Sequence, residues 1–213
     1  FLTGFDPGFE LIETIRLESG KYPLLTLHLE RLAASARALG FACDVPALAV
    51  ALAEISSACA AGIHRVRLSL AHDGQYRIDL AEMSDDGQAW QVVLADERLD
   101  ADDYLLRHKT SARSLYDRAL ARLAEHPGVF DALFLNTRDE VCEGARSNVF
   151  VERGGILLTP PLCCGLLPGV MRRHLLESGR ARESVLTLDD LLGAPAIHMA
   201  NALRGLIPVS LRA

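Results

Sequence analysis

The chain has 213 residues, with 22 basic and 28 acidic side chains and a formal net charge of −6. That length suits one large domain or two small ones, and 50% hydrophobic with 23% charged residues is ordinary globular composition rather than that of a disordered chain. An acidic balance argues against a sequence-independent grip on nucleic acid, and no apolar run approaches the ~18–20 residues of a membrane helix, so neither partner is expected.

The first elements read as a strand, a turn and two helices. Residues 11–17 alternate apolar and polar side chains like a half-buried strand, Ser19-Gly20 turns it, and residues 22–25 resemble a short return strand. From Thr26 the period changes: Leu29, Leu32, Ala36 and Leu39 mark one face of a helix that stops at Gly40. A second helix is expected over 46–60 behind the N-cap residue Asp44. Residues 64–70 alternate again, Asp73-Gly74 turns into a strand at 76–80, and 90–95 adds another. The acidic, irregular stretch 96–103 reads as a linker.

Beyond it, a helix over 114–124 is closed by Pro127-Gly128, and strands at 131–135 and 140–142 frame a turn. A hairpin follows at 148–152 and 155–159, then a Pro/Cys/Gly loop at 160–168 and a helix over 169–177. A short helix at 188–192 and strands at 197–200 and 205–209 complete the chain. Strand meanders with inserted helices predict an α+β fold in two lobes, a smaller N-terminal lobe at 1–100 and a C-terminal lobe at 101–213.

Five cysteines, an odd number, fit neither a disulfide framework nor zinc spacing, and the vicinal pair Cys163-Cys164 reads as packing thiols. The seven histidines show no ligand spacing either, so no metal is expected. With no basic n-region at the start, no signal peptide is expected, and a reducing, cytoplasmic setting follows.

Three features carry chemistry. The only lysines are Lys21 and Lys109, and Lys109 stands beside Arg107 and His108, cationic neighbours that favour a nucleophilic amine; taken alone, it reads first as a surface lysine. Glu143, between two apolar strands, would point inward and need a cationic partner, or else pair with Arg146 at a hairpin edge. Pro168-Gly-Val-Met-Arg172 leads into a helix whose free N–H groups suit a phosphate.

Taken in order, these stretches resemble fold-type IV pyridoxal-phosphate (PLP) enzymes, the group of branched-chain and D-amino-acid aminotransferases and aminodeoxychorismate lyase. The resemblance rests on residues 9–17 with Leu27-His-Leu-Glu-Arg-Leu32, on His108-Lys-Thr with Tyr116-Asp-Arg118, on residues 131–136, on Glu143-Gly-Ala-Arg-Ser-Asn148, on residues 158–162 and on residues 165–172. It covers nearly the whole chain.

The resemblance implies a two-lobed, D-amino-acid-aminotransferase-like fold with PLP as cofactor. It implies that Lys109 holds the cofactor covalently and, once released, serves as the base. Glu143 falls where the family places the acid at the pyridine nitrogen, and Arg31 on the arginine that reaches the phosphate. Gly169, Val170 and Met171 match the helix start that holds that phosphate, and Asn201, Ala202 and Leu203 match a second phosphate-binding turn. Arg67, with Arg65 at the same strand parity, lies on a strand that lines the substrate side in relatives; Ile12 and Thr14 are further pocket candidates.

Residues 13–16, Lys109-Thr110 and residues 201–206 look nearest the lyase branch, including versions fused to aminodeoxychorismate synthase. The expected reaction is loss of pyruvate from 4-amino-4-deoxychorismate to give 4-aminobenzoate in folate synthesis, with a functional link to the synthase. A class IV amino-acid aminotransferase, acting on a branched-chain or D-amino acid, is the alternative, and a non-catalytic interaction module on the same fold is the reading from a different class. A homodimer is the family expectation.

Overall fold

A computed structural model of the chain describes residues 8–83, 90–123 and 126–212. The chain divides into two compact units, Phe1–Asp85 with His108–Ala112, and Asp86–Arg107 with Arg113–Ala213.

In the first unit, the alternation of residues 11–17 becomes strand β1 (Leu11–Glu18). It pairs antiparallel with β2 (Ile63–Leu70), which pairs antiparallel with β3 (Tyr76–Met83). The period of two sends Leu11, Ile15 and Leu17 to one face together with Val66, Leu68 and Leu70. There they pack with Leu32 and Ala36 of α1 (Leu25–Leu39) and with Leu48 and Leu52 of α2 (Val45–Ala58). Gly40 ends α1 with φ 78°, a left-handed position that favours glycine. Asp44 caps α2 by accepting from the Ala47 N–H at 3.0 Å. The return strand expected at 22–25 is absent: a single Glu18–Lys21 bridge closes the turn, and α1 has begun at Leu25. Pro23 lacks the N–H a ladder needs.

The second unit is built on an eight-stranded sheet in the order β10-β11-β4-β5-β6-β7-β8-β9. Its strands are β4 (Trp90–Leu99), β5 (Val129–Asn136), β6 (Val141–Gly144), β7 (Asn148–Arg153), β8 (Ile156–Thr159), β9 (Ala181–Glu183), β10 (Ile197–Asn201) and β11 (Gly205–Leu211). An additional β10–β7 pairing closes six of them into a ring, with β8 and β9 continuing as a tail.

β5 is buried at every position because the ring covers both its faces. Leu133 and Leu135 join one core with Val149, Val151 and Met199. Ala132 and Phe134 join another with Cys142, Cys164 and Leu166, beneath α3 (Ser114–Leu123). The last residue of the expected 114–124 helix lies outside the described residues. α4 (Val170–Glu177) and α5 (Leu188–Leu192) complete the unit. The linker expected at 96–103 is half strand: after a bulge β4 resumes its parallel pairing with β5, Arg98 opposite Leu135 and Leu99 opposite Asn136. The mixture is α+β, as the sequence predicts.

Candidate active site

Glu13 shares the core-facing parity of Leu11, Ile15 and Leu17 and is 2% exposed. A buried carboxylate needs partners, and α1 supplies two from successive turns of one face. Arg31 Nε donates to Oε1 at 2.8 Å and Nη2 to Oε2 at 2.6 Å, while His28 Nδ1 lies 2.6 Å from Oε2. Burial pushes the Glu13 carboxyl up, but the Arg31 guanidinium and the hydrogen bonds from His28 and Arg31 outweigh it and hold the group at about 2. Arg31, the expected phosphate ligand, is thus oriented by a fork-on-fork pair.

The segment bearing Lys109 is tied to the same unit by its backbone. The Ile12 N–H donates to the Lys109 carbonyl at 2.8 Å, Thr110 bridges Leu11, and the Ser111 N–H donates to Glu10. His108 Nδ1 lies 3.0 Å from Ser35 Oγ on α1. Lys109 itself is half-buried. On the sheet face opposite Glu13, Thr14 stands across from Arg67, Ile12 from Ser69 and Arg16 from Arg65. The first unit therefore brings Ile12, Thr14 and Arg67 onto one face, with Ile12 bonded to the Lys109 backbone.

In the second unit, Glu143, next to last in β6, stands opposite Asn148, the first residue of β7. The Tyr116 hydroxyl donates to Glu143 Oε1 at 2.8 Å, the Leu167 N–H to Oε2 at 3.1 Å and Asn148 Nδ2 to Oε2 at 3.3 Å. Asn148 Nδ2 also donates to the Leu167 carbonyl at 3.0 Å. Its Oδ1 occupies the space a side chain at Gly169 would need, so only glycine lets α4 begin there. Gly169 has no side chain to cap α4, and no acid stands in the first turn, which leaves the N–H groups of Val170 and Met171 suited to an anion.

The ladder that sets Ala200 opposite Asn148 brings Asn201 to the same end of the unit. Asn201 Oδ1 accepts from Leu203 N–H at 3.1 Å and Arg204 N–H at 3.0 Å, forming the tight turn that contains Ala202. Glu143, Gly169–Met171 and Asn201–Ala202 thus gather around the β6–β7 connection and the start of α4.

Behind this connection lies Asp131, fully buried. It accepts from the Ala132 N–H at 2.9 Å, the Arg146 N–H at 3.2 Å and the Ser147 hydroxyl. Burial pushes its carboxyl up to about 6 against the pull of Ser147, Arg146 and the backbone donors. A side chain at Gly144 would collide with Asp131 Oδ2 and Met199 Cε, so the turn closes only around glycine. The Arg146 guanidinium donates to the Phe130 carbonyl and lies 4.7 Å from the Phe130 ring centroid.

The second unit supplies an oriented carboxylate and a helix start without a side-chain cap, and the first an oriented arginine and the Lys109 amine; these donor types fit the group that the family resemblance implies. That group carries a protonatable ring nitrogen, a carbonyl and a phosphate, which is the chemistry of PLP. Among the described residues no cluster of three His, Cys, Asp or Glu side chains could hold a metal ion. No helix among them is long and apolar enough to cross a membrane.

Residues 10–211 match the family described as amino-transferase class IV. The chain belongs to that family. A Schizosaccharomyces pombe protein provisionally named as an aminodeoxychorismate lyase is 29% identical over 205 residues, 91% of this chain and 86% of that protein. The aminodeoxychorismate lyase of Vibrio harveyi is 35% identical over 127 residues, 56% of this chain and 46% of that protein. The branched-chain-amino-acid aminotransferase of Escherichia coli is 29% identical over 91 residues, 40% of this chain and 29% of that enzyme.

Among solved structures, a Mesorhizobium loti protein provisionally named as an amino-acid aminotransferase is 41% identical, with a TM-score of 0.88 over 96% of this chain and 100% of that one. The PLP-bound form of a hypothetical aminotransferase from Mycobacterium tuberculosis shares the fold, with a TM-score of 0.86 at 22% identity over 99% of this chain and 85% of that one. As a class IV member the chain is a PLP-dependent enzyme.

Sequence reasoning gave no role to Glu13 and His28 in the first unit, or to Tyr116, Asn148 and Asp131 in the second. A signal was present for Glu13, an acid at a core-facing strand position. Tyr116 and Asn148 stood inside the motifs, but their contacts with Glu143 depend on pairings distant in sequence.

Proposed function

We propose that this enzyme is a lyase that eliminates pyruvate from 4-amino-4-deoxychorismate and releases 4-aminobenzoate. The observation that carries this reading is the 205-residue likeness to the lyase-named protein of S. pombe, which runs through both units. The bound cofactor supplies an electron sink that acidifies the substrate carbon bearing the amino group.

The chain's residues supply the rest. The Lys109 amine takes the proton from that carbon. The bond from the neighbouring carbon to the enolpyruvyl oxygen then breaks, the departing enolpyruvate takes up a proton to become pyruvate, and the ring becomes aromatic. No amino acceptor is consumed. Glu143 holds the proton at the cofactor's ring nitrogen, and Arg31 with the Val170 and Met171 N–H groups holds the phosphate by charge-assisted hydrogen bonds. The Asn201–Ala202 turn adds backbone donors. Arg67, flanked by Thr14 and Ile12, grips a substrate carboxylate. The smaller N-terminal lobe serves the substrate and lends Arg31 to the phosphate, and the C-terminal lobe supplies the rest of the cofactor site, in a homodimeric cytoplasmic enzyme coupled to aminodeoxychorismate synthase.

The test is direct. Purified enzyme with aminodeoxychorismate and no keto acid should give pyruvate and 4-aminobenzoate in equal amounts. The second reading, an amino-acid aminotransferase, is favoured by the name of the M. loti structure. Transfer from a branched-chain or D-amino acid to 2-oxoglutarate, without pyruvate from aminodeoxychorismate, would establish it in place of the lyase.

A further inference from the structure

We propose that Tyr116 is a positioning residue whose hydroxyl, donating to Glu143 Oε1, keeps that carboxylate charged and turned so that its proton partner retains the proton. The proposal rests on the reading of Glu143 as the acid at the cofactor's ring nitrogen.

The geometry of α3 supports it. Tyr116 is pinned on two sides: its ring meets Phe134 edge-on, centroids 5.2 Å apart at 80°, and the Arg113 guanidinium lies 5.6 Å from its centroid. Arg113 is itself fixed, donating from Nη2 to the Ala145 carbonyl and from Nε to Asp117, both at 2.8 Å. A ring held in this way directs its hydroxyl to Glu143 with little rotational freedom left to lose.

Burial, with the charge of Glu143 beside it, pushes the Tyr116 phenol far above its ordinary value, so it acts as a donor. Leu167 N–H and Asn148 Nδ2 occupy Oε2. Tyr116 donates to Oε1, and a hydrogen bond to the charged form of a carboxylate favours that form. Removing it makes Glu143 more basic and draws the shared proton off the ring nitrogen toward the carboxylate.

Tyr116→Phe isolates the hydroxyl, because the ring keeps its contacts with Phe134 and Arg113. The measurements are the nitrogen NMR resonance of ring-labelled PLP bound to the protein, the cofactor dissociation constant and the melting curve. The expected result is a resonance displaced toward unprotonated pyridine, a dissociation constant raised about 3–10-fold and an unchanged melting curve. A resonance unmoved in Tyr116→Phe but moved in Glu143→Gln overturns the proposal and leaves the Glu143 reading standing. A melting temperature that falls while the resonance stays put makes Tyr116 a packing residue and overturns it equally. A resonance unmoved in both variants overturns the Glu143 reading, and the proposal with it.

Discussion

Glu13 in the first unit and Asp131 in the second are both buried carboxylates, yet their surroundings push them in opposite directions. Glu13 faces a guanidinium and an imidazole and is held at about 2. Asp131 faces a hydroxyl, backbone N–H groups and the more distant Arg146 charge, and burial outweighs them and lifts it to about 6. Glu143 is surrounded by a phenol, an amide and a backbone N–H. Burial raises the Glu13 and Asp131 carboxyls alike; what separates them is how strongly their partners pull them back. In the first unit a bidentate guanidinium holds Glu13 ionised, whereas in the second a hydroxyl, backbone N–H groups and the pull of Arg146 leave Asp131 near the working range.

The largest effect is expected where that hold is broken. Glu13→Gln removes the buried charge that Arg31 and His28 face, which costs about 3–5 kcal/mol of folding stability, read from urea unfolding. The pH dependence has a definite sign: the folded pKa of Glu13 is depressed, so its contribution is present above about pH 4.5 and is lost as pH falls toward about 2. A loss below 1 kcal/mol would show that Arg31 does not depend on Glu13.

Next comes Glu143→Gln, which keeps the shape and most acceptor positions but removes the charge. Turnover should fall about 10²–10³-fold while PLP remains bound. Near-normal turnover would place the acid of the ring nitrogen elsewhere.

Asp131→Asn sharpens the contrast at smaller scale. The folded pKa of Asp131 is raised, so its stabilising contribution is full below about pH 3.8 and lost as pH rises through about 6. Wild type should therefore lose about 1–1.5 kcal/mol relative to the Asn variant between pH 5 and pH 7.5. A difference in stability that does not change with pH would mean that Asp131 titrates normally.

The same contrast explains what could be read from sequence. Local rules placed the α1 stop at Gly40, the α2 cap at Asp44, the Asp73-Gly74 hairpin and the start of α4 at Gly169, because each depends on neighbours within a few residues. They failed where partners are distant. β4 runs on through an acidic stretch because β5 pairs with it in parallel, and the three-residue β9 exists because β8 is beside it. At the site, the motif residues Glu143 and Gly169 were visible. Asn148, which bonds one and crowds the other, acquires that role only once β6, β7 and α4 are assembled.

The central claim is that Lys109, one of two lysines in the chain, carries the cofactor. Borohydride reduction of the PLP-loaded enzyme followed by peptide mapping tests it most directly. The expected result is a pyridoxyl group on Lys109, absent from the Lys109→Ala variant; a pyridoxyl group on Lys21, or on no lysine, would contradict it.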